Sequence, residues 1–136
     1  MGAKIILRGI WLGVGALILN VAVAFLWVWF YSFAIAPGHD GPYYQAYAQR
    51  VAPFSGLIAG IPLLFLAGML SARGDRPLVA AAIPATTYIL LDMLLMAIGG
   101  IWASVAALLL SYSTKLAAAL AGGWFVQRRR AAPPPQ

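Results

Sequence analysis

Four long apolar stretches, separated by short clusters of polar residues, glycine and proline, set the pattern of this chain. The first extends from about Gly9 to Ala36 and is interrupted only by Asn20. It is roughly twice the 7–15 residues of a cleavable signal's apolar region, and Pro37 would sit just after the cut, so an uncleaved membrane helix is expected. Pro37-Gly38-His39-Asp40-Gly41-Pro42 packs breakers densely and predicts a turn. In the segment Tyr43–Val51, Tyr44, Tyr47 and Val51 share one helical face while Gln45 and Gln49 share another. That division predicts a short helix lying in the outer membrane interface, with tyrosine rings at headgroup depth.

A second apolar run, Pro53–Ala72, opens on a proline at a position helices tolerate. Arg73-Gly74-Asp75-Arg76 is a polar loop, and Pro77 opens a third run, Leu78–Ile98. No charged loop marks its end, yet Leu78–Val126 is about twice the length of one crossing and must divide. A break at Ser111–Lys115 would leave too short a remainder, so Gly99-Gly100 is the turn, and the fourth span runs from Ile101 to about Val126. The expected fold is therefore all-α: a polytopic, antiparallel bundle of four transmembrane helices. It forms one transmembrane domain over residues 1–126, followed by a basic, proline-rich tail over 127–136.

Composition agrees with lipid as the solvent. The chain has 136 residues, of which 63% are hydrophobic and 9% charged, against about 45–50% and 25% in soluble domains. Without cysteine there is no disulfide, thiol catalysis or thiolate metal site. The net charge of +6 is placed as a topology signal. Lys4, Arg8, Arg73, Arg76 and Arg128-Arg129-Arg130 all fall on one side of the four-span arrangement, and only Arg50 falls on the other. The rule that basic loops stay inside puts both termini in the cytoplasm of a bacterial-type inner membrane. Trp27, Trp29, Tyr31 and Trp102 would mark the outer interface, and Trp11 and Trp124 the inner one. Nucleic acid is not an expected partner. The expected partners are the lipid bilayer and either a second copy or another membrane protein, with any small-molecule substrate unknown.

Stripes of small residues, Gly9-Gly13-Ala16-Asn20-Ala24 in the first helix and Gly56-Gly60 continuing to Ala67-Gly68-Ser71 in the second, predict close helix contacts. Pro62 and Pro84 lie inside spans, where each removes a backbone hydrogen bond and bends the helix.

Candidate chemistry begins with Asp92 and Lys115, each costing about 2.5–3.5 kcal/mol near a membrane helix centre. They fall at comparable depth in adjacent helices, so an ion pair is within reach. Ser104 and Ser111 share the helical face of Lys115, Tyr88 precedes Asp92 by one turn, and Asn20 lies about halfway across. Together these residues define an expected intramembrane polar core. As a structural device it would fix helix register. As an association device it would serve self-association or an accessory subunit. As a transport device Asp92 would bind a proton or cation beside a cavity opened by Pro62 and Pro84.

The outer-face cluster His39, Asp40 and Arg50 is the remaining candidate, for an enzyme acting on lipid headgroups. No nucleophile elbow, phosphate loop or metal-ligand pair accompanies it, so no catalytic residue, metal or cofactor is assigned. A histidine and aspartate in a Pro/Gly-rich turn more often cap the chain than catalyse. The preferred expectation is a small non-enzymatic membrane protein, with transport as the alternative.

Overall fold

The computed structural model describes residues 2–100 and 104–131. Four helices carry the chain: α1 (Ala3–Phe30), prolonged by one π-helical turn (Tyr31–Ile35), α2 (Gly41–Ser71), α3 (Pro77–Gly99) and α4 (Val105–Ala131). All four are long and apolar enough to cross a membrane. Ile101, Trp102, Ala103 and the Pro-rich end of the tail lie outside the described residues.

Local chemistry explains each boundary. α1 begins ahead of the apolar run, taking Lys4 and Arg8 into its first turns, where long basic side chains lay their stems along apolar surface. At its other end Ala36 N–H donates to Tyr31 C=O at 2.9 Å, a π-type bond. The Tyr44 hydroxyl then donates to Ala36 C=O at 2.7 Å, satisfying a carbonyl that the helix leaves open. Asp40 caps α2, its Oδ1 accepting from Tyr43 N–H at 3.2 Å. α3 ends at Gly99, and Gly100 takes the left-handed conformation (φ 64°) with its N–H on Met96 C=O. Only glycine does this without strain, which is why the glycine pair turns the chain.

The expected separate interfacial helix is corrected. Tyr43–Val51 forms the first turns of α2, which runs on through Pro53 and Pro62 without a break. Side chains hold this segment upright against α1. The Tyr31 and Tyr47 rings stack at 3.6 Å, Trp27 Nε1–H donates to the Tyr47 hydroxyl at 3.1 Å, and the Tyr31 and Tyr43 hydroxyls are 3.3 Å apart. The tyrosine face read as membrane-facing is thus a helix–helix contact. α4 likewise outruns its expected end at Val126 and takes Arg128–Arg130 into its last turns. There Arg128 lies 4.0 Å over the Trp124 ring and Arg129 lies 4.5 Å over Phe125, cations placed where the helix dipole favours them.

Small residues set the packing. A Cβ at Gly9 would fall 2.7 Å from Ile83 Cγ2, and one at Gly13 would fall 2.6 Å from the Pro84 carbonyl, so α1 and α3 touch almost backbone to backbone. α2 and α4 make the most extensive contact. A Cβ at Gly68 would run into the Ala119 backbone, and one at Gly122 into the Phe65 carbonyl. Close approach of this kind gives dispersion contacts that lipid cannot match. The core comprises Ala16, Leu17, Leu64, Ala67, Ala85, Tyr88 and Ala119. Among the described residues every buried side chain lies in the half of the bundle nearer the termini: up to Asn20, from Ala59 to Ala72, from Ala80 to Tyr88, and beyond Lys115. In the far half the described side-chain hydrogen bonds between helices run within the α1–α2 pair and within the α3–α4 pair.

A buried lysine at the junction of four helices

Lys115 stands where the tight half ends. Its residue is 3% exposed, and its Nζ donates to the Tyr88 hydroxyl at 3.2 Å. Asn20 Nδ2 donates to the same oxygen at 2.7 Å, so one hydroxyl on α3 ties α1 to α4. Nζ also lies 4.5 Å from the centroid of the Tyr88 ring and 5.8 Å from that of Tyr112, within the range where ring quadrupoles attract a cation. α2 contributes space. A Cβ at Gly60 would press to 2.9 Å from Lys115 Cε, so the lysine stem lies against α2 at Gly60 and its end would have to shift for a larger residue.

The expected contact between Asp92 and Lys115 is replaced by a relay. Among the described residues neither forms an ion pair within 4.0 Å. Asp92 Oδ2 instead accepts from the Tyr112 hydroxyl at 3.0 Å, while the Tyr112 ring faces Nζ. The physical reason is axial register: Tyr88 and Asp92 lie one turn apart on the same face of α3, and Lys115 and Tyr112 about one turn apart on antiparallel α4, so Lys115 meets Tyr88 and Tyr112 meets Asp92. Lys115 points into the junction of α1, α2 and α3, whereas Asp92, one turn beyond buried Tyr88, is only half-buried.

Other expected members lie elsewhere. Ser104 is the N-cap of α4, its Oγ accepting from Ala107 N–H at 3.3 Å. Ser111 supplies only its backbone carbonyl, to Thr114 Oγ1 at 2.9 Å, and makes no side-chain bond to the cluster. Pro84 is fully buried against Gly9 and Gly13, so it is packed rather than lining a cavity, and Pro62 lies on the exposed side of α2. At the far end Asp40 is spent on the cap, and the His39 ring stacks on Tyr43 at 3.9 Å. Arg50, about 15 Å further along α2, shares no hydrogen bond or ion pair with either among the described residues.

Sequence reasoning missed Tyr112 and the role of Gly60. Tyr112 is next to Ser111 and one turn before Lys115, on the side of α4 that turns toward α3, and it outreaches serine by a whole ring. Gly60 was legible as a packing stripe, though nothing in a stripe says that a lysine stem will fill it.

Chemically, the junction holds an ammonium on a hydroxyl and two ring faces, with no carboxylate against it. Asn20 Oδ1 is buried there without a hydrogen-bond partner, a shortfall worth about 1–3 kcal/mol. Among the described residues no group of three metal-ligating side chains occurs.

Fold and site together define a compact four-helix apolar bundle with a polar junction, the form of a small membrane protein. No protein-family model matches the chain, and neither does any curated protein or solved structure.

Proposed function

We propose that this chain is a non-enzymatic protein of a bacterial inner membrane, with both termini in the cytoplasm, that works by associating with a second copy of itself or with a larger membrane protein. The observation that carries this reading is Asp92. Its carboxylate is half-buried, about 10 Å in from the far end of α3, and among the described residues has only Tyr112 as a side-chain partner. Leu95 on α3 and Val105 and Leu109 on α4 are exposed apolar side chains of the same helix pair. A carboxylate left partly open on an apolar membrane face is costly, and a partner that covers it recovers part of that cost.

The test is purification of the tagged chain in mild detergent alongside a copy carrying a second tag. Association predicts recovery of the second tag or of a larger membrane complex. Asp92→Asn should weaken the association roughly three- to twentyfold, the weight of a membrane hydrogen bond of about 0.6–1.7 kcal/mol. A single-copy, partner-free protein in a lipid nanodisc would sink the reading.

Transport coupled to a proton or cation is the second reading, and it rests on the same accessible acid. It predicts a flux in liposomes that Asp92→Asn abolishes while leaving association intact. Catalysis at His39 and Asp40 is disfavoured because capping and ring stacking already engage both side chains.

A further inference from the structure

An open-sided groove of about 390 Å³ runs between α1 and α2 in the far half of the molecule. Ala24, Val28, Ala48 and Ala52 line its apolar walls, with Tyr44 and Gln45 toward the far end and Ser55 toward the bundle's middle. Its volume falls within the roughly 300–1,000 Å³ of small-molecule sites. Its inner end, at Val21 and Ser55, is next in sequence to Asn20 and Gly56, which border the buried lysine. Asn20 is one helical turn from Ala24 on the same face of α1, and Gly56 is one turn from Ala52 on the same face of α2.

At that inner end there is room beside charge. A Cβ placed on Gly56 would meet nothing nearer than Lys115 Nζ at 3.8 Å and Asn20 Nδ2 at 4.0 Å, so a methyl-sized recess borders two donors. Each has protons to spare, because Nζ carries three and uses one on Tyr88, and Nδ2 carries two and uses one on the same hydroxyl.

The geometry points to a binding site for a monocarboxylate with an apolar tail. The carboxylate accepts from Lys115 Nζ and Asn20 Nδ2 at the Gly56 recess, and the tail lies along the α1–α2 groove. Charge selects the head: a lone ammonium matches one negative charge. A doubly charged phosphate or sulfate would bring uncompensated charge into an apolar wall, where desolvation outweighs attraction. The groove selects the tail, since its walls offer dispersion contact and few hydrogen bonds. This inference does not require the chain to self-associate, and its test reads the same on one copy or several.

The experiment is equilibrium binding of labelled decanoate to the full chain in nanodiscs of uncharged lipid, with decanol and decylamine as matched competitors. Saturable decanoate binding is expected, with decanol at least tenfold weaker and decylamine inert. Lys115→Gln should weaken decanoate at least tenfold while leaving decanol unchanged. Ala52→Trp, which fills the groove at a distance from the lysine, should weaken both. Decanol equal to decanoate, decylamine preferred, or decanoate unaffected by Lys115→Gln in a chain with wild-type helicity would each overturn the proposal. The wild-type comparison of acid with alcohol decides the matter even if Lys115→Gln fails to fold.

Discussion

The Tyr88 hydroxyl accepts from Asn20 on α1 and from Lys115 on α4, so removing one oxygen strands two buried donors. Tyr88→Phe is expected to destabilise the bundle by about 1–3 kcal/mol. Tyr112→Phe removes a single bond to a half-buried carboxylate and strands no buried donor, so it should cost under about 1 kcal/mol. Reversible unfolding in mixed detergent micelles measures both, and equal losses would contradict the hierarchy. At this scale the sequence was only partly legible. Asp92 and Lys115 stand out as charges in lipid, and Asn20 and Tyr88 as their neighbours in depth. Their depths are uncertain by about one helical turn, though, and that register decided that Lys115 meets Tyr88 while Tyr112 serves Asp92. Ser111 shares the lysine's face but is too short to reach across to α3, and Ser104 stands at a helix start, where its hydroxyl has backbone to cap.

Among the helices, glycines divide into those whose missing Cβ is occupied by backbone and those that face open space. Gly68 and Gly122 belong to the first kind, on the α2–α4 contact, whereas Gly15 has nothing within 4 Å of its Cβ position. Gly68→Ala and Gly122→Ala must push two helices apart, at about 1–3 kcal/mol each. Gly15→Ala should be neutral or stabilising by up to about 1 kcal/mol, because alanine loses less conformational freedom in a helix. Unfolding midpoints of the three variants check the ordering. Helix boundaries were legible where a residue has only one use, as at Gly100. They were less so where a residue has two. Proline opens helices and also survives within them when neighbouring packing holds the chain, and Pro53 proved to be of the second sort. Nor does the tyrosine face of Tyr43–Val51 reveal whether it meets headgroups or Trp27 and Tyr31, since both environments suit an amphipathic ring.

For the molecule as a whole, the proposed orientation rests on charge. Lys4, Arg8, Arg73, Arg76 and Arg128–Arg130 lie at the end that holds the termini, and Arg50 lies toward the other. The proposed topology is directly testable because the chain has no cysteine to remove. A cysteine placed at Gly38 should react with a membrane-impermeant maleimide added outside intact cells, and one placed at Gly74 should react only after lysis. The opposite pattern would invert the topology and move both proposed surfaces to the other leaflet.

The shared hydroxyl also has a consequence in time. Synthesis delivers helices from the N-terminus onward, so Asn20 enters the membrane two helices before Tyr88 and three before Lys115. Until α3 arrives, the amide has no Tyr88 to hold. Until α4 arrives, the glycine faces of α2 at Gly60 and Gly68 lie open to lipid. The last helix inserted is thus the one that closes the core, and it brings the lysine with it. A nascent chain halted before α4 would keep the Asn20–Tyr88 bond but display a hydroxyl without its lysine and the bare backbone of α2 within the bilayer. Those are the marks by which a quality-control protease could tell an unfinished copy from a finished one.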